Sequence, residues 1–301
     1  TLGLAGWAAA RRRAAPFVFN IQDVYPDVAI QLGMLREKRL IKAAQRLERM
    51  CYERADAITV LSEDLAHNLE NKVTRAGKVR VIPNFVDTAA IAPRPRENAY
   101  RREHGLVDRF VVMYAGNVGL SQSLGLMLAA AEALTHHPEL AFVINGDGAA
   151  RAELEDRARG LPNLHFVDLQ PPERLPQLLA AADVHVVPLK RGLARSSVPS
   201  KTYSIMAAGR PFVASVDPGS EVARLCERSG GGIAVPPEDA EAFTKAVRSL
   251  LESPETAARM GEAGRSFVET WASPAAVAGS YEALFEELAR SRSASLAPSP
   301  T

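Results

Sequence analysis

Between Ser196 and Pro211 the chain runs Ser-Ser-Val-Pro-Ser-Lys-Thr-Tyr-Ser-Ile-Met-Ala-Ala-Gly-Arg-Pro: a polar loop, a short helix, a glycine stop and a proline leading into a strand. A helix that opens on hydroxyls and a lysine presents unpaired backbone N–H groups and the positive end of its dipole. Such an end suits an anion, most often a phosphate. The same pattern also describes a plain surface helix capped by Ser200 and stopped by Gly209, and spacing alone leaves both readings open.

Further polar turns recur along the chain. Gly116-Asn117-Val118-Gly119-Leu120-Ser121-Gln122 follows a β-rich run; its glycines allow close approach of backbone to a ligand, and Ser121 is placed to cap the next helix. The spacing is not G-x-G-x-x-G, so the dinucleotide fingerprint is absent. Gly146-Asp147-Gly148 also follows a strand-like run, with Asp147 either facing a ligand or capping a helix. Lys190 and Arg191 end another, as solvated loop charge or as cations for a diphosphate. Glu221 follows Ser220, which reads as a helix N-cap with an acidic first turn, or as an acceptor for a sugar hydroxyl.

These turns are positioned by a regular alternation. Strands are expected near 110–114, 141–145, 164–167, 184–187, 212–215 and 232–235, with helical patterns between or after them. That grammar gives a parallel sheet covered on both faces, a doubly wound unit. The polar turns then fall at one edge of one sheet, where ligands bind in such folds. Residues 1–87 show the same grammar in shorter form, with strands near 17–20, 57–60 and 79–82 and a long helix over 38–54. Three strands are few for a doubly wound domain. The chain starts at Thr1 on what reads as the tail of a helix, and we expect a piece lacking an N-terminal part. In this first domain Gln22-Asp23 follows a strand, so Asp23 is a candidate general base or only part of a Pro-rich turn.

Composition narrows the function classes. The 301 residues carry a net charge of +1, which gives no global basic field for nucleic acid. Two cysteines, Cys51 and Cys226, make no disulfide framework and suit a reducing cytoplasm. No run approaches the roughly 18 apolar residues of a membrane span. The six histidines lack metal-ligand spacing, and neither a P-loop nor a Gly-x-Ser-x-Gly elbow is present.

Together these residues resemble a family 4 retaining glycosyltransferase of the GT-B fold, over about residues 14–288. Val81-Ile82-Pro83-Asn84-Phe85-Val86-Asp87 resembles the "IPNGVD" segment that ends the first domain. Ala115-Gly116-Asn117-Val118-Gly119 resembles the first donor-domain loop, and Asn145-Gly146-Asp147-Gly148 the "GxG" turn. Ala182-Asp183-Val184-His185-Val186-Val187-Pro188 resembles "ADVFVLPS". Met206-Ala207-Ala208-Gly209-Arg210-Pro211 resembles "EAMAxGxP". Gly119-Leu120-Ser121-Gln122 and Val198-Pro199-Ser200-Lys201-Thr202-Tyr203 are similar to bacterial enzymes of colanic-acid, capsule and O-antigen synthesis, including fucosamine transferases.

The resemblance implies an α/β fold of two Rossmann-like doubly wound domains, the first incomplete. Their expected bounds are 1–87 on the acceptor side and 88–272 on the donor side, then a helix over 273–291 packing back on the first domain and a disordered tail over 292–301. It implies transfer of a sugar from a nucleotide-diphosphate sugar to a glycan or polyprenyl-diphosphate-linked acceptor, in the cytoplasm or at the inner membrane face, with no cofactor and no metal. Arg11-Arg12-Arg13 is the candidate for contact with anionic lipid. The donor-binding candidates are Gly116, Asn117, Gly119, Ser121, Gln122, Asp147, Lys190, Ser196, Ser200, Thr202, Ser204 and Glu221, and the catalytic ones Asp23 and Lys201. This sequence departs from the family where two glutamates are expected: Ser196 and Ser204 stand there, and a hydroxyl gives weaker acceptance than a carboxylate. The family's lysine after the first loop is also missing, which leaves the charge to Lys190 or Lys201, and Gln22 stands where a histidine is common. The rival readings are a GT-B UDP-sugar epimerase and a catalytically weak sugar-nucleotide-binding protein.

Overall fold

The computed structural model describes residues 2–296. Its first elements are α1 (Leu2–Arg12), β1 (Val18–Ile21), α2 (Asp27–Gln31), α3 (Lys38–Arg54), β2 (Ala57–Val60), α4 (Glu63–Leu69) and β3 (Val79–Val81). There follow α5 (Ala99–Glu103), β4 (Phe110–Ala115), α6 (Gly125–Ala133), β5 (Leu140–Asn145), α7 (Arg151–Arg157) and β6 (Leu164–Val167). After a 3₁₀ turn over Pro172–Arg174 come α8 (Leu175–Ala181), β7 (Val184–Pro188), α9 (Lys201–Ala207), β8 (Phe212–Ser215) and α10 (Glu221–Ser229). The last are β9 (Gly232–Val235), α11 (Ala240–Glu252), α12 (Pro254–Trp271) and α13 (Pro274–Leu296). The chain divides into two units: Thr1–Phe85 with Arg195–Val198 and Pro274–Thr301, and Val86–Ala194 with Pro199–Ser273.

The first unit holds a three-stranded parallel sheet in the order β1-β2-β3. Alternation along β2 divides its faces. Ile58 and Val60 pack with Leu65 and Leu69 of α4 and Tyr52 of α3, whereas Ala57 joins Ile82 and the α13 residues Val277 and Leu284. Ser62 caps α4 by accepting from Leu65 N–H at 3.3 Å. Helix α13 runs through Leu296, beyond the helix expected to stop at residue 291 and into the stretch read as a disordered tail. Residues 297–301 of that expected tail lie outside the described residues.

The second unit is a six-stranded parallel sheet in the order β6-β5-β4-β7-β8-β9. Strand order reverses between β4 and β7, so the crevice beyond their carboxyl ends is the topological switch point. Along β4, Phe110, Val112 and Tyr114 face the cluster formed with α6 and α11, while Val111 and Met113 face the one with α5 and α8. A buried polar clasp fixes the opposite end of the sheet. Asp183 accepts Nη2 of the fully buried Arg101 at 2.5 Å, Nη1 of Arg96 at 2.6 Å and Val111 N–H at 2.8 Å. The bonds to two cations and an amide offset the cost of burying the charges.

Segment 195–198 separates from the rest of the 196–211 motif. Val24 N–H donates to Ser196 O at 2.8 Å, Asn68 Nδ2 to Arg195 O at 2.9 Å, and Asp23 bridges Ser197. Backbone pairing of this kind depends on tertiary placement, and no residue type in the segment announces it.

Candidate functional site

At the switch point three groups meet. Tyr114, the penultimate residue of β4, is fully buried and its hydroxyl donates to the carbonyl of Asn117. Lys201 opens α9, and its Nζ stands 3.8 Å from the centroid of the Tyr114 ring. Gly116 has φ +141°, and a Cβ there would come within 3.0 Å of Nζ, so a glycine leaves room for the ammonium. The Lys201 side chain retains some surface access, yet protein surrounds its ammonium. Burial pushes its pKa down to about 7 from the usual 10.5. No carboxylate pairs with it among the described residues. Buried His185 on β7 donates its Nε2–H to Leu179 O at 2.9 Å, and burial holds its pKa at about 4. It is therefore neutral near pH 7.

The anion seat read from the sequence changes character here. Helix α9 has only seven residues, Ser200 at its N-cap makes no side-chain capping bond, and Ser200 is exposed. The charge at this end is consequently the ammonium of Lys201 more than a helix dipole. Thr202 differs from the expectation: it is fully buried and its hydroxyl proton goes to Pro199 O at 2.8 Å, so it has no proton to donate to a ligand. Ser204 is half-buried, one turn beyond Lys201. Ser196 is corrected too: it is fully buried in the first unit, and its Oγ has no hydrogen-bond partner.

The glycine turns are explained by loops packing on loops. A Cβ on Gly146 would meet Gly116 O at 1.8 Å, and one on Gly148 would meet Val118 O at 2.4 Å. Val118 N–H donates to Asp147 O at 2.8 Å, and the exposed Asp147 accepts Gly148 N–H at 2.7 Å through Oδ1. Neither Asp147 nor Ser121 caps a helix, because α7 starts after Ala150 and α6 after Leu124. Gln122 Oε1 accepts Gly119 N–H at 3.1 Å, and Asn117 is exposed beside them. Lys190 N–H donates to Ser121 O at 2.9 Å. Gly119, Gln122 and Lys190 then share a cavity of about 350 Å³ with Glu238. Glu221 is nearly buried and already paired, with Arg224 at 2.8 Å and Arg228 at 3.8 Å, behind the Ser220 cap.

The first unit has its own cavity, about 640 Å³, lined by Gln22, Asp23, Tyr25, Leu47, Glu48 and Tyr52 among others. Asp23 is exposed at the end of β1. Beside it lies a polar cluster that sequence reading missed. Glu48 is buried and accepts Tyr52 Oη at 2.8 Å and Lys72 Nζ at 3.0 Å, and Lys72 also bonds Asp27 at 2.7 Å. Burial raises the Glu48 pKa in spite of Lys72. Its signal was present: Glu48 falls on the core-facing spacing of α3 with Ile41, Ala44 and Tyr52.

Residues 109–253 match the glycosyl transferases group 1 family, and residues 1–84 match the glycosyl transferase 4-like domain. The chain belongs to the family 4 glycosyltransferases. Over 255 residues it is 33% identical to WcaI of Escherichia coli, a colanic acid biosynthesis glycosyl transferase, covering 82% of this chain and 62% of that protein. Over 243 residues it is 29% identical to the glycosyltransferase WbjE of Pseudomonas aeruginosa, covering 78% and 60%. The chain thus spans about three fifths of these relatives. Among solved structures, HepE of Anabaena in complex with UDP aligns with a TM-score of 0.77 at 17% identity, over 95% of this chain and 76% of that one. Sucrose-phosphate synthase from Thermosynechococcus elongatus aligns with a TM-score of 0.77 at 20% identity, over 96% and 72%. These likenesses show the α/β, GT-B fold that the sequence implied.

Proposed function

We propose that the protein transfers a sugar from a nucleotide-diphosphate sugar to a glycan acceptor in the building of a cell-surface polysaccharide. The observation that carries this reading is the Lys201 ammonium at the switch point of the second unit, held without a counter-charge among the described residues. Negative charge grows on the departing diphosphate in the transition state, and a fixed cation there stabilises that state more than the ground state. The C1–O bond to the β-phosphate breaks, the acceptor oxygen bonds to C1, and the acceptor hydroxyl loses its proton to a base. Asp23 is the candidate for that proton. The reading includes retention of anomeric configuration, no metal and no cofactor, since the ammonium takes the charge a metal would otherwise take. It also includes a polyprenyl-diphosphate-linked acceptor, met at the cytoplasmic membrane face with the exposed Arg11, Arg12 and Arg13 toward anionic lipid. The name of WcaI supports the pathway class, and the UDP bound by HepE supports the donor class.

The test is turnover with UDP-, GDP- and dTDP-hexoses, comparing the protein with Lys201→Met and Asp23→Asn and reading the product anomer by NMR. Lys201→Met is expected to lose turnover while keeping its fold. Unchanged turnover in that variant overturns the role of Lys201. Free nucleotide with an altered sugar and no acceptor product would instead mean an epimerase.

A further inference from the structure

We propose that Tyr114 is the positioning residue for the diphosphate-binding cation: its ring face holds the Lys201 ammonium at the switch point, so the site discriminates a nucleoside diphosphate from a monophosphate. This rests on the reading of Lys201 given above. Three observations carry it. The Nζ–ring distance of 3.8 Å is well inside cation–π range. The ring itself is immobilised, because Tyr114 is fully buried and its hydroxyl is tied to the carbonyl of Asn117. Finally, no carboxylate competes for the ammonium among the described residues, so the ring is the group that orients it.

An aromatic face suits this task better than a carboxylate would. A carboxylate would hold the lysine but also neutralise it and repel the incoming phosphate. The ring quadrupole attracts the cation and leaves its charge available to a second, anionic partner. A flexible four-carbon stem otherwise loses side-chain entropy when it is ordered against a ligand. With the ring in place, part of that ordering precedes binding, which is preorganisation. Gly116 completes the seat, since any side chain there would press on Nζ.

The experiment measures dissociation constants of UDP and UMP by calorimetry for the unaltered protein, Lys201→Met, Tyr114→Phe and Tyr114→Leu. The readout is the ratio of UMP to UDP dissociation constants, which a general structural defect moves little because it weakens both nucleotides alike. Lys201→Met is expected to cut the ratio by about 10- to 100-fold, the range for a hydrogen bond to a charged group. Tyr114→Leu is expected to cut it by about 3- to 30-fold with little change in UMP affinity. Tyr114→Phe, which keeps the ring face, is expected to restore the ratio. If Tyr114→Leu fails to fold, fluorinated phenylalanines at position 114 keep the shape and weaken the face, and the ratio should fall stepwise with fluorine number. A ratio that ignores the fluorine series, or a Tyr114→Leu protein that loses UMP and UDP equally, overturns the proposal. If Lys201→Met itself leaves the ratio intact, the diphosphate reading fails, and the proposal fails with it.

Discussion

Binding of a nucleoside diphosphate should draw a proton from solution, and the amount follows from Lys201. Its pKa lies at about 7, pushed down from 10.5 by burial. At pH 8 such a group is protonated in about one molecule in ten. A diphosphate set against the ammonium favours the charged form and returns the pKa toward the ordinary lysine range. Binding at pH 8 should therefore take up about 0.9 proton per site. The nucleotide contributes little, because a terminal phosphate with a second pKa of about 6 is already ionised at pH 8. His185 contributes nothing, since it stays neutral across this range with a pKa of about 4. If only the protonated lysine binds, affinity should weaken by about 50-fold from pH 7 to pH 9, about 2.3 kcal/mol. The assay is calorimetric titration with UDP at pH 8 in HEPES and in Tris, whose ionisation enthalpies differ. The slope of observed enthalpy against buffer ionisation enthalpy gives the protons taken up. Zero uptake in the unaltered protein, or equal uptake in Lys201→Met, would refute the reasoning.

Three further outcomes follow from the same structure. Because folding lowers the Lys201 pKa, the unfolded chain binds more protons between pH 7 and 10.5, and the stability penalty is full below pH 7 and fades above it. Lys201→Met should thus melt higher than the unaltered protein at pH 6.5, with the gap shrinking by pH 9; a gap that is constant with pH would contradict the burial argument. Asp183→Ala leaves the fully buried Arg101 with Glu97 as its one remaining carboxylate partner among the described residues, and should cost about 3 kcal/mol in a denaturant titration. Gly146→Ala would drive a Cβ to 1.8 Å from the backbone oxygen of Gly116 at φ +147°, so the two loops must part; nucleotide binding should fall together with the melting temperature.

Much of the scaffold was legible in local pattern. The span of α3 at Lys38–Arg54, the strands at Ala57–Val60, Leu164–Val167, Phe212–Ser215 and Gly232–Val235, and the cap at Ser220 all follow from periodicity and capping chemistry. The turns at 116–122 and 146–148 were legible as turns, but not as interlocked loops whose glycines answer to each other's carbonyls. Thr202 read as a ligand hydroxyl because sequence cannot show that Pro199 O lies within its reach. Ser196 read as a donor contact because it stands where the resembled family carries a glutamate, whereas its neighbours in space are the backbone of the first unit.

By itself the sequence determined the period of each element, the parallel α/β class and the chemical types available at the strand ends, all of which depend on residues close in the chain. Tertiary structure alone decided which of those types come together. It put β4 beside β7, and so brought Tyr114, Gly116 and Lys201 together from positions some 87 residues apart. The physical reason is that strand order is a long-range choice, whereas the charge state of Lys201 is set by what surrounds it, and burial over an aromatic ring is written nowhere in the residues next to it.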